Sequence, residues 1–121
     1  MFELKNHIID CHTHRFPKEY VEELDRLNIP FGQTLSERFT LTPERITDME
    51  KAGIDRQVIS IAVPGVNMST PENAVRLSKL VNDETAKLTH QDDRFIGLAS
   101  LPLLSPIAAV DELRRTVEEL G

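Results

Sequence analysis

Three times after residue 40 the chain repeats one way of opening a helix and sets a short apolar run beside it. This alternation restricts the fold more than any other feature of the sequence. In "TPERITDMEKAG", Thr42 stands at the N-cap, Pro43 at the first helical position and Gly53 at the stop, with Ile46, Met49 and Ala52 along one face. "TPENAVRLSKLVNDETAKL" repeats the opening at Thr70, Pro71 and Glu72 and strings Ala74, Leu77, Val81 and Leu88 into one stripe. "SPIAAVDELRRTVEELG" opens on Ser105 and Pro106, carries Val110, Leu113, Val117 and Leu120 at helical spacing, and ends on Gly121. The runs beside these helices, "HIIDCHTH", "QVISIAV" and "RFIGLASL", read as short strands. Strands alternating with helices of this length imply an α/β fold of parallel βαβ units with right-handed crossovers. The spacing predicts strands near 7–13, 57–63 and 94–101, ordered 1-2-3, with the three Pro-initiated helices on one common face.

A chain of 121 residues with 40% hydrophobic content suits one domain, and no low-complexity segment divides it. Fourteen Lys and Arg against twenty Asp and Glu give a formal charge of −6, with neither a basic run nor an interleaved aromatic platform. A nucleic-acid partner is therefore not expected. No apolar run approaches the roughly 18 residues that span a bilayer, and the start lacks a leader-like apolar segment, so no membrane partner and a cytoplasmic location are expected. The single cysteine, Cys11, has no intrachain disulfide partner and reads as a small buried strand residue.

The first connection departs from the pattern. About 27 residues separate His14 from Thr42, far beyond the usual βα loop of about 2 to 6. Within it "PKEYVEELDRLN" fits a short helix with Tyr20, Leu24 and Leu27 on one side, while "IPFGQTLSERFTL" reads as irregular. Loops that leave the C-terminal ends of parallel strands build sites, and this one follows the strand that carries two of the four histidines. Strict strand alternation puts Asp10, His12 and His14 on one face. Strand residues two apart have Cα atoms roughly 6.6 Å apart, which lets two imidazoles converge on one ion at about 2.0–2.1 Å per nitrogen. The alternative is a pair of ordinary hydrogen-bonded side chains near a strand end. Asp10 either orients a histidine by accepting its second N–H or belongs to a polar layer unconnected with metal. His7 and His90 fall at the wrong ends of their elements and are not assigned to the pair.

"IIDCHTHRFPKEY", "TPERITDMEKAGIDRQVISIAVPG", "NDETAKLTHQDDRFIGLASLPL" and "AAVDELRRTVEELG" together resemble the opening of the amidohydrolase-related metalloenzymes, the group that contains aminocarboxymuconate-semialdehyde decarboxylase. The similarity runs through essentially the whole chain in order. It implies a (β/α)8 barrel, with His12 and His14 as ligands of a divalent metal, zinc foremost, with manganese or another ion as alternatives. It also implies a small carboxylated or carbonyl-bearing substrate that undergoes hydrolysis or non-oxidative decarboxylation. An arginine from the long loop binds a carboxylate in such decarboxylases, which makes Arg38 a candidate; the alternative is an exposed loop arginine. The polymerase-and-histidinol-phosphatase phosphoesterases share the histidine pair but diverge at Arg15, Phe16 and Pro17, and TatD-like nucleases lack "NDETA" and "DRFIGLASLPL".

A barrel of this kind takes about 250 residues, so residues 1–121 correspond to its first three βα units, a single incomplete domain. The remaining ligands and the acid or base are expected beyond residue 121, and the chain alone is expected to show little or no turnover. Exposed sheet edges then invite self-association. The rival is a non-enzymatic three-stranded α/β module.

Overall fold

The computed structural model describes residues 7–30 and 43–121. Its elements run β1 (Ile9–His14), α1 (Lys18–Arg26), α2 (Pro43–Ala52), β2 (Arg56–Ser60), α3 (Pro71–Gln91), β3 (Phe95–Gly97) and α4 (Pro106–Arg115), which continues into one π turn (Thr116–Leu120). The strands form a parallel sheet in the order β1-β2-β3. Order and direction match the alternation read from the sequence. His14, Ser60 and Gly97 consequently mark the same, C-terminal, end of the sheet.

The short helix expected in the first connection is α1, with Tyr20 and Leu24 buried and Leu27 partly so. Asn28 follows it at φ 53°, the left-handed position that asparagine tolerates after a helix. Gly53 at φ 69° ends α2 in the same way. Thr70 caps α3 with backbone geometry and side chain together, its Oγ1 accepting from Asn73 N at 3.2 Å. Ser105 makes no such bond, although Pro106 begins α4 as expected. Thr42 lies outside the described residues.

Two apolar clusters hold the fold. Phe16, Tyr20, Leu24, Ile29 and Val66 close over Leu77 and Val81 of α3. Met49 of α2, Ile59 of β2, Phe95 of β3 and Leu88 of α3 form the other. The 21 residues of α3, about 31 Å of helix, therefore join both clusters through one stripe. Ala74, Leu77, Val81 and Leu88 are all buried. Gly97 meets α3 so closely that an added Cβ would lie 2.5 Å from Thr85 Cγ2.

Two expectations need correction. β3 is shorter than residues 94–101, because Ser100 leaves the sheet to bond Asn82: Ser100 N donates to Oδ1 at 2.7 Å, and Nδ2 donates to Ser100 O at 2.9 Å. α2 and α3 lie over the face that carries Ile59 and Phe95, and α4 packs against α3. On α4 it is Ala109 and Glu112 that are buried, while Val110, Leu113 and Val117 stay exposed. The cause is polar: Glu112 reaches Asn82 Nδ2 at 2.7 Å and Arg115 at 2.7 and 2.9 Å, and Arg115 reaches Asp83 at 2.7 Å, which turns the apolar stripe outward. Leu113, Val117 and Leu120 then line an open cleft of about 500 Å³ against β3 and α3.

Candidate metal centre

β1 delivers its histidines where the parallel sheet ends. The rings of His12 and His14 stand 5.1 Å apart between centroids and meet edge to face at 84°. A nitrogen ligating at about 2.0–2.1 Å leaves its ring centroid about 3.2 Å from an ion, so two imidazoles at a tetrahedral angle are separated by about 5 Å. The observed separation fits two ligands of one ion. Both rings are accessible, His12 exposed and His14 half-buried. A shallow cleft of about 400 Å³ beside them is lined also by Thr13, Arg45, Asp48 and Gln57.

The neighbours of His14 fix its place. Its Nδ1 lies 3.1 Å from Ser60 Oγ, and Ser60 Oγ lies 3.4 Å from Thr13 O. Its carbonyl accepts from Arg45 Nη2 at 2.6 Å, while Arg45 Nη1 donates to Gln57 Oε1 at 3.2 Å. One guanidinium thus ties the start of α2 to β1 and β2. Burial, reinforced by the charge of Arg15 and opposed by Asp10, lowers the Arg45 pKa, yet a guanidinium stays protonated. Arg15 points to the other side and donates to Glu84 O at 3.3 Å; burial lowers its pKa against the opposing charges of Glu84 and Glu19.

Asp10 does not sit beneath the histidines as alternation predicts. A bulge interrupts β1: Asp10 pairs with Gln57, and Thr13 with Ile59. The extra residue reverses the alternation, so Asp10 falls opposite Gln57 and His14 opposite Ser60, residues on different faces of β2. Asp10 Oδ1 accepts instead from the backbone N of His12 at 3.2 Å. Cys11, at the bulge, is exposed rather than buried. Among the described residues no group of three or more His, Cys, Asp or Glu side chains is placed to hold an ion. Arg38 lies outside the described residues, and His90 lies in a different concavity beside Lys87 and Leu120. No helix among the described residues is long and apolar enough to cross a membrane.

Arg45 and Ser60 escaped the sequence reading. Ser60 had one signal, the hydroxyl inside the apolar run "VISIAV". Arg45 had none that separates it from a solvated arginine in the first turn of a helix.

The amidohydrolase family model matches residues 9–121. The gamma-resorcylate decarboxylase of Rhodococcus jostii (strain RHA1) is 38% identical over 79 residues, 64% of this chain and 24% of that protein. The 2-amino-3-carboxymuconate-6-semialdehyde decarboxylase of Dictyostelium discoideum is 35% identical over 79 residues, 64% of this chain and 22% of that protein. The chain therefore spans about a quarter of the length of these relatives. Among solved structures, the dihydroxybenzoic acid decarboxylase of Polaromonas sp. JS666, with bound manganese and the inhibitor 2-nitroresorcinol, superposes with a TM-score of 0.78 at 27% identity, covering 96% of this chain and 36% of that one. With the match running from the start of β1 to the last residue, the chain belongs to the amidohydrolase family.

Proposed function

We propose that this chain carries two ligands, His12 and His14, of the divalent-metal centre of a decarboxylase built on the first three βα units of an eightfold barrel. The observation that supports it most is the closeness of the two imidazoles at the C-terminal end of β1, at a centroid separation suited to one ion. Relatives named as decarboxylases favour carboxylate loss over hydrolysis, and the manganese in one of them favours Mn(II) at least as much as the Zn(II) expected from the sequence. The substrate class is a small aromatic or unsaturated carboxylic acid.

A divalent ion held there would supply Lewis-acid polarisation of a substrate oxygen. The chain's own contribution is to bind and aim. His12 and His14 offer ring nitrogens, and Arg45 clamps the His14 backbone to α2 and to Gln57. A third protein ligand, usual for a catalytic zinc site, comes in this reading from outside the described residues.

Calorimetric titration with Mn(II) and Zn(II) tests the ligand set. Binding should weaken at least about tenfold in His12→Ala and in His14→Ala, since each removes one direct ligand. Equal affinity in all three proteins would defeat the assignment. The substrate class is checked by carbon dioxide release from gamma-resorcylate, in the presence of the tighter ion, by a protein that includes the remaining ligands.

A further inference from the structure

We infer that Ser60 is a positioning residue for the metal centre, its hydroxyl holding His14 in the tautomer that is protonated on Nδ1 and leaves Nε2 free to bind the ion. This rests on the reading of His14 as a ligand. His14 and Ser60 are cross-strand partners in the parallel register, so their side chains stand together on one face. Arg15 N donates to Ser60 O at 2.9 Å and Arg45 Nη2 to His14 O at 2.6 Å, which pins both backbones.

The two contacts of the hydroxyl decide the tautomer. Ser60 Oγ lies 3.1 Å from His14 Nδ1 and 3.4 Å from Thr13 O. A hydroxyl has one proton to donate and lone pairs with which to accept, whereas a carbonyl can only accept. With Ser60 donating to Thr13 O and accepting from Nδ1–H, both contacts are hydrogen bonds. With Ser60 donating to a bare Nδ1, the Thr13 contact holds no proton. The first arrangement satisfies two contacts and the second one. It also directs the only free lone pair of the ring away from β2. A histidine that ligates metal through one nitrogen is commonly oriented by a hydrogen bond from the other, and here that acceptor is a serine hydroxyl, not a carboxylate.

Long-range proton–nitrogen NMR on the metal-free, ¹⁵N-labelled full chain, at about pH 8 where imidazole is neutral, reads the tautomer directly. His14 should be protonated mainly on Nδ1 in the parent chain and in Ser60→Thr, and should lose that bias in Ser60→Ala. Zinc affinity should fall about tenfold in Ser60→Ala and recover in Ser60→Thr, while circular dichroism stays unchanged. An Nε2-protonated His14 in the parent chain overturns the inference. So does a Ser60→Ala variant with unaltered tautomer and zinc affinity, and in that case the ligand assignment survives. Zinc binding indifferent to His14→Ala defeats the ligand reading itself, and the tautomer spectrum then reports whether the hydroxyl contact exists apart from it.

Discussion

Glu112 is 2% exposed and stays charged because both carboxylate oxygens are occupied, by Asn82 and by the two-pronged guanidinium of Arg115. Burial pushes its pKa up, but the hydrogen bonds from Arg115 and Asn82 outweigh it and bring the group below its ordinary 4.5. A carboxylate with a depressed folded-state pKa contributes stability that is fully present above about pH 4.5 and lost as pH falls through the folded value. Urea midpoints should therefore be level above pH 5 or so and decline in acid. Glu112→Gln should cost about 2 kcal/mol near neutrality, and its deficit should shrink as pH falls below 4.5, because the unfolded parent chain takes up a proton there that the folded carboxylate resists. A deficit constant across that range would show that the charge is not what matters. Sequence disclosed the histidine pair through its place at the end of a strand before an overlong loop and through the family resemblance of the segments around it, since the spacing alone fits hydrogen-bonded side chains as well. It hid Ser60 and Glu112, whose significance lies in what stands opposite them across a strand or a helix.

At the level of elements the repeated Thr/Ser-Pro openings located three helix starts, yet the two described caps differ in strength. Thr70→Ala should lower stability by about 1 kcal/mol, whereas Ser105→Ala should change it by less than about 0.5 kcal/mol, since only Thr70 accepts a backbone hydrogen bond. Equal losses in thermal melts would contradict the cap assignment. The approach of β3 to α3 gives a sharper case. Gly97→Ala forces a methyl against Thr85 Cγ2, at a cost of about 1–3 kcal/mol, and adding Thr85→Ala should recover most of the loss. Periodicity revealed that α4 is amphipathic but not which side it buries. That was settled by Asn82, thirty positions earlier in sequence than its partner Glu112. The bulge in β1 was illegible for a similar reason, because alternation assumes one residue opposite one, and only the pairing with β2 shows the extra residue.

Across the whole molecule α3 is the member on which everything else rests, since it joins both apolar clusters. Its amides between Leu77 and Leu88 should be the slowest to exchange with deuterium, and those of Thr116–Leu120, where no residue is buried, among the fastest. Exchange in α3 no slower than in the terminal turn would mean the clusters do not open as one unit. The strand order and parallel direction were readable beforehand because they follow from local alternation and crossover handedness, while the fate of each apolar face depends on which neighbours arrive. The outward stripe of α4 bears on how the protein behaves as a colloid. Ile107 at 79%, Val117 at 69% and Val110 at 56% exposure form an apolar surface whose association a net charge of −6 opposes. That repulsion vanishes near pH 5.2, above the ordinary 4.5 below which Glu112 is held. On acidification, light scattering should rise while the chain is still folded, and Val117→Lys with Val110→Glu, a neutral pair of changes, should abolish the rise without moving the isoelectric point.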